Sequence, residues 1–224
     1  AMIELMDEGI GKLVDAIKRK GMYEHTVFLF LSDNGATDEG GYLGQLMSDL
    51  SNTPYRSYKK WVFQGGTSTP FILTYGDKRK NRMEGQPAHI IDILPTCMAL
   101  GQAVYPERFE HADLPGRSLL PAAEGKPVEE RTFYFEHQSS CGIIDGHWKL
   151  VKANRNAQWE LIDLDKDPFE TNDLAGQYPE KVEELEAKWI EWANTHKVFP
   201  LENRTWTERI NFYKQKNPDQ RGEE

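Results

Sequence analysis

In this 224-residue chain, two adjacent side chains with hard oxygen donors follow a strand-like run. Thr26–Leu31 is a continuous stretch of β-branched and aromatic residues, with the length of a strand buried on both faces, and it stops at Ser32-Asp33-Asn34-Gly35. The Asp33 carboxylate and Asn34 carboxamide then stand at a strand's carboxyl end, the edge where open α/β sheets bind ligands. Their oxygens suit Ca²⁺ or Mg²⁺. The same four residues also make an ordinary turn, with Gly35 letting the chain double back, and the pattern alone leaves both readings open. His89 and Asp92 form a second pair, three residues apart on one helix face, read first as helix-start electrostatics plus packing, with ligation as the alternative. Asp38 and Glu39 read as solvated loop charges, with acids that orient the site's ligands as the alternative. Cys97 and Cys141 lack a CxxC or CxxH spacing, so neither a structural zinc nor a disulfide framework is implied, and Cys97, among apolar neighbours, reads as core.

Further along, Ser51–Pro70 (SNTPYRSYKKWVFQGGTSTP) carries Pro54, Tyr55, Arg56, Tyr58, Lys59, Trp61, Gly65, Gly66 and Pro70. In this order the two blocks resemble the sulfatases of the alkaline-phosphatase-like superfamily, whose pattern is a strand ending in S-D-N-G and then P-[YF]-R-x-Y-K-x-W-x-x-E-G-G-x-x-x-P. Gln64 stands where that pattern has Glu, which leaves open any ion pair the glutamate would make. The resemblance continues through HIIDILPT (His89–Thr96), LPGRSLLP (Leu114–Pro121), IIDGHWKLV (Ile143–Val151) and WELIDLDKDPFETNDLA (Trp159–Ala175), nearly the whole chain.

This resemblance implies roles for individual residues. Asp33 and Asn34 become metal ligands, and Lys59 becomes the cation that contacts the sulfate group and stabilises charge on the leaving oxygen. His137, in YFEHQSSCG, becomes a substrate contact reaching in from a second domain, with a structural histidine as the alternative. The implied cofactors are Ca²⁺, with Mg²⁺ as the alternative, and a formylglycine made from Cys or Ser in a C/S-x-P/A-x-R motif. No such motif occurs here; SNTPYR has its proline and arginine one place late. The expectation is therefore a C-terminal fragment, inert alone, of a longer sulfatase that hydrolyses sulfate esters on a sulfated small molecule or glycan. Its nucleophile and remaining metal ligands would lie upstream, and a periplasmic or secreted compartment would suit it. Two alternatives stand beside it: a phosphatase or phosphonate hydrolase of the same superfamily, and a non-catalytic binding or assembly domain with the same fold.

Composition narrows the classes. A net charge of -9 argues against a nucleic-acid groove, and the basic run Lys78–Arg82 reads as a solvated loop. Hydrophobic residues at 38% suffice for a packed core, and no apolar run approaches the length of a membrane span.

The positioning elements follow from periodicity. Ala1–Lys20 predicts an amphipathic helix with Ile3, Met6, Ile10, Leu13, Val14 and Ile17 on one face, already in phase at its start and closed by Gly21. Helix then strand predicts one αβ step of a parallel sheet. Ala36–Tyr58 reads as an irregular loop, Gly65-Gly66 as a tight turn and Phe71–Tyr75 as a strand. A loop follows at Asn81–Pro87, then a helix over His89–Leu100 interrupted at Pro95, and a proline- and glycine-rich linker over Gly101–Arg131. Thr132–His137, Gly142–Ile144, His147–Lys152 and Gln158–Leu164 predict an antiparallel meander turning at Asp145-Gly146. Pro179–His196 predicts a helix covering one face of it through Val182, Leu185, Trp189, Ile190 and Trp192, with a further short helix near Trp206–Lys214 and a charged tail. The expected fold class is α/β. Residues 1–125 would be the C-terminal part of an alkaline-phosphatase-like mixed or parallel sheet domain, and residues 126–224 a small α+β subdomain with an antiparallel sheet and a packed helix.

Overall fold

A computed structural model describes residues 2–39, 43–75, 83–105, 115–201, 204 and 206–216. The basic run Lys78–Arg82 and the charged tail after residue 216 lie outside the described residues, as does part of the Gly101–Arg131 linker. The chain forms two compact units: Ala1–Asp33 with Pro70–Glu129, and Asn34–Thr69 with Glu130–Glu224. Residues 34–69 thus pack with the C-terminal stretch, although sequence order sets them in the first half.

In the first unit, α1 (Met2–Arg19) carries Glu4 in its first turn and Lys18 and Arg19 in its last, matching the helix dipole. Gly21 follows at φ +66°, donating to the Lys18 carbonyl, so the predicted stop is met. The apolar stripe of α1 remains open, with Ile3 77% and Leu13 59% exposed. Strand β1 (Val27–Leu31) pairs antiparallel with β2 (Phe71–Tyr75), Val27 opposite Tyr75 and Leu31 opposite Phe71. The expected parallel step is therefore corrected at this pair, and β1 is only half-buried, with Phe30 exposed.

A 3-10 turn, Ile90–Asp92, leads into α4 (Ile93–Leu100). Pro95 sits in the first turn of α4, where a missing N–H costs nothing, so the predicted interruption does not occur. His89 and Asp92 form a capping box: Asp92 Oδ2 accepts the His89 N–H at 2.8 Å and His89 Nδ1 accepts the Ile91 N–H at 3.3 Å. Asp92 Oδ1 also accepts the Arg117 N–H at 2.8 Å, so this buried carboxylate serves the backbone rather than a ligand. A short helix, α5 (Leu120–Glu124), follows within the predicted linker. Cys97 is exposed beside Ile93 and Leu94 in an open apolar groove, which corrects its reading as core.

The second unit is built on a meander of β3 (Phe133–His137), β4 (Ser140–Asp145), β5 (Trp148–Lys152) and β6 (Glu160–Asp163), paired antiparallel in that order. Gly146 takes φ +60° at the β4–β5 turn, as an Asp-Gly hairpin requires. Ile143, Leu150 and Leu161 stand in register across three strands on one face, all fully buried. Against them pack Leu185, Trp189 and Ala193 of α6 (Pro179–Thr195), while Ile190 points outward at 40% exposure, contrary to its expected place in the stripe. The indole N–H of Trp189 donates to the Phe135 carbonyl at 3.1 Å, so the buried ring leaves no unpaired donor. The α7 helix (Trp206–Lys216) lies near the end of the described chain.

The opposite sheet face carries Gly142, Lys149, Val151, Glu160 and Ile162. It is covered by Arg56–Thr67, with Val62 and Phe63 buried against Val151 and Ile162. Two helices punctuate residues 34–69: α2 (Gly44–Asn52), which interrupts the predicted irregular loop, and the single turn α3 (Gln64–Thr67).

Candidate functional site

Arg56–Thr67 is fastened to the sheet by polar groups. Arg56 makes two bonds to Glu160, Nη1 to Oε2 at 2.6 Å and Nη2 to Oε1 at 3.1 Å, and its guanidinium lies 4.0 Å from the Phe63 ring centre. At the other end Lys149 Nζ lies 2.7 Å from Glu170 Oε1 and donates to Gln64 Oε1 at 3.1 Å, while Glu170 Oε2 accepts the Gln64 N–H at 2.7 Å. Burial pushes the Lys149 ammonium below the usual lysine range, and the Glu170 charge opposes that shift. Gln64 thus supplies a neutral acceptor to a cation that already has one carboxylate.

The same segment holds the turn after β1. Gly35 N–H donates to the Gly66 carbonyl at 3.0 Å, and Lys59 N–H donates to the Ala36 carbonyl at 2.8 Å. An added Cβ on Gly35 would meet the Gly65 carbonyl oxygen at 1.7 Å, so these backbones approach as only glycine allows. Gly65 and Gly66, expected as a tight turn, instead lie buried in α3, where a Cβ on Gly65 would meet the Ser57 carbonyl oxygen at 2.0 Å.

Lys59 is half-buried between two non-glycine residues in the left-handed region, Ser57 at φ +64° and Lys60 at φ +91°. Such conformations cost about 1–3 kcal/mol each and persist where neighbours impose them. Here the Ser57 carbonyl accepts the Asn52 side-chain N–H at 2.9 Å, and the Lys60 carbonyl lies 2.9 Å from His137 Nδ1. A carbonyl only accepts, so Nδ1 carries the proton in this contact, and Nε2 of the exposed ring faces away from it. The Lys59 ammonium contacts Glu39 Oε2 at 3.2 Å, and this bond, ahead of that from Thr37, holds the Glu39 carboxyl below the usual carboxylate range. Glu39 is thus a largely exposed loop carboxylate that also partners the predicted cation.

Among the sequence-predicted residues, the structure brings His137 to the carbonyl of Lys60, next to Lys59, and ties the backbone two residues beyond Asn34 to Lys59. Asp33 is exposed as the last residue of the first unit's opening stretch, and Asn34 is half-buried at the start of the second. One carboxylate and one carboxamide have the donor chemistry of a hard cation but fill only part of a shell of about six to eight oxygens. No group of three or more His, Cys, Asp or Glu residues able to hold a metal occurs among the described residues. Sequence reasoning passed over Asn52, Lys149, Glu160 and Glu170, none of which stands in a catalytic-looking pattern.

A family model described as "Sulfatase" matches residues 1–103, and one described as "N-sulphoglucosamine sulphohydrolase, C-terminal" matches residues 55–195. The chain belongs to the sulfatase family. An N-acetylgalactosamine-6-O-sulfatase of Bacteroides thetaiotaomicron is 28% identical over 80% of this chain and 39% of its own length. An uncharacterized sulfatase of Schizosaccharomyces pombe is 27% identical over 85% and 42%. A Bacteroides thetaiotaomicron structure from work on the metabolism of multiple glycosaminoglycans superposes with TM-score 0.68 at 27% identity, covering 85% of this chain and 43% of that one. At 22% identity, Ps i-CgsB in complex with k-i-k-neocarrahexaose gives TM-score 0.73 over 98% of this chain and 47% of its own, and a Silicibacter pomeroyi phosphonate monoester hydrolase gives 0.61 at 19% over 84% and 38%. These last two speak to fold, which is alkaline-phosphatase-like, a mixed α/β arrangement with antiparallel sheets. This sulfatase chain spans about two-fifths of the curated relatives named here. No helix among its described residues is long and apolar enough to cross a membrane.

Proposed function

We propose that these residues are the C-terminal part of a sulfatase that hydrolyses sulfate esters, and that they are inactive alone. The observation carrying this reading is the match of two overlapping sulfatase-type models, over residues 1–103 and 55–195, supported by the bonding that ties the Gly35-Ala36 backbone to Lys59 and Gly66. Lys59 is the sulfate-binding cation: its ammonium leaves Glu39 for an anionic oxygen and offsets charge developing on the leaving oxygen. Asp33 and Asn34 give two oxygens to a Ca²⁺ or Mg²⁺ ion, and such an ion supplies polarisation of the sulfate oxygens when bound. The formylglycine belongs to sequence outside these residues. His137 holds the Lys60 carbonyl through Nδ1 and offers Nε2 to the substrate. Sulfated glycans are the favoured substrate class, since the bacterial relative is an N-acetylgalactosamine-6-O-sulfatase and a fold neighbour was solved with D-glucosamine-2-N,6-O-disulfate.

The test is turnover of an aryl sulfate and an aryl phosphate by the full-length protein, with K59A alongside. Sulfate turnover that falls about a hundredfold or more in K59A is expected, the scale of losing one preorganised charge-stabilising group. Dominant phosphate turnover would reject the reading in favour of a phosphatase or phosphonate hydrolase. A protein inert towards both would favour an assembly role.

A further inference from the structure

We propose that Asn52, at the C-terminal end of α2, is the positioning residue that sets Lys59 against the turn carrying Asn34. Its carboxamide joins three backbone segments: Oδ1 accepts the Ala36 N–H at 3.1 Å, and Nδ2 donates to the Ser57 carbonyl at 2.9 Å and the Gly65 carbonyl at 2.8 Å. Three of the four hydrogen bonds an asparagine side chain readily makes are thus spent on backbone, and all three fall within two residues of Asn34, Lys59 or Gln64. One of the carbonyls belongs to Ser57, whose left-handed φ of +64° needs an outside partner to persist. Ala36 is held twice, its N–H by Asn52 and its carbonyl by Lys59, so the planar carboxamide acts as a spacer of fixed length between the turn and the lysine. An aspartate of the same shape keeps the acceptor for Ala36 but turns a carboxylate oxygen towards two carbonyl oxygens, which repels both. Only protonation of that carboxyl restores a donor. The assignment of a role to Lys59 rests on the sulfatase reading above; the spacer geometry does not.

The experiment measures amide hydrogen exchange, as protection factors, in the 224-residue chain for wild type, N52A and N52D at pH 7 and pH 4. About tenfold loss of protection at the Lys59 amide is expected in both variants at pH 7, and at the Ala36 amide in N52A, the scale of one or two lost hydrogen bonds, with β3–β6 amides unchanged. At pH 4 the N52D variant regains protection at Lys59 and N52A does not. Undiminished protection at Lys59 in both variants overturns the proposal, as does loss spread over β3–β6, which makes Asn52 a general determinant of folding. So does an N52D variant insensitive to pH. In the full-length protein, K59A that leaves aryl sulfate turnover intact while N52D still loosens Lys59 would sink the sulfate-binding reading and leave the spacer role of Asn52 standing.

Discussion

Lys149 and Glu170 form an ion pair of 2.7 Å with both side chains wholly shut from solvent, and Glu170 itself sits at φ +59°. Twenty-one positions apart in sequence, they meet only because β5 turns Lys149 onto the face that α3 covers. Because Glu170 also takes the Gln64 N–H, the pair sets the start of α3 on the sheet.

Removing one member leaves the other charge buried. K149M is expected to destabilise the second unit by about 3–5 kcal/mol, because Glu170 then keeps the Gln64 N–H but loses its bonded cation. K149M combined with E170Q is expected to cost less than the two single changes added together, since no bare charge remains. Urea unfolding of the three variants measures both; strict additivity would mean the two groups are not coupled.

Acid sensitivity follows from the α6–β4 contact. Lys188 Nζ donates to Asp145 Oδ2 at 2.6 Å and to Glu184 Oε1 at 2.9 Å. Bonds from Lys181 and then Lys188 bring the Glu184 carboxyl down to about 2, and Lys188 first of all holds Asp145 below the usual range. A carboxyl with a depressed folded pKa stabilises the fold above its unfolded value, 4.5 for Glu184, and that contribution disappears as pH falls through about 2. Wild type is therefore expected to lose more melting temperature than K188M between pH 6 and pH 2. Parallel curves for the two proteins would show that the contact adds nothing.

Glycine positions separate close approach from open space. G35A drives a methyl group to 1.7 Å from the Gly65 carbonyl oxygen and is expected to cost about 3 kcal/mol or more, near the upper end of overpacking. G11A, in α1 with nothing within 4 Å, is expected to stabilise by about 0.5–1 kcal/mol through helix propensity. Thermal melts of the two variants should move in opposite directions; a tolerated G35A would mean the turn after β1 can shift.

The meander and α6 were legible because their signals are local. Asp145-Gly146 lies between alternating runs, and Leu185 and Trp189 recur at helical spacing, so each element could be read from its own residues. Helix α2 is not legible although Leu43, Leu46, Met47 and Leu50 stand at helical spacing, for its N-cap position is Leu43, whose side chain makes no cap hydrogen bond, and Gly44 opens it. The antiparallel pairing of β1 was missed for a different reason: an apolar run fixes that a strand exists, not the direction of its neighbour.

By itself the sequence determined the candidate chemistry and the family, since Asp33, Asn34, Lys59 and the glycine pair are side-chain types at fixed spacings, and spacing survives without coordinates. Only the tertiary structure decided what holds them. Arg56 meets Glu160 across 104 positions, and Gln64 meets Glu170 across 106. Asn52 reaches three carbonyl or amide groups that every sequence contains. Partners so far apart, or made of backbone, leave no periodicity to read, because their meeting depends on which sheet face the intervening strands present.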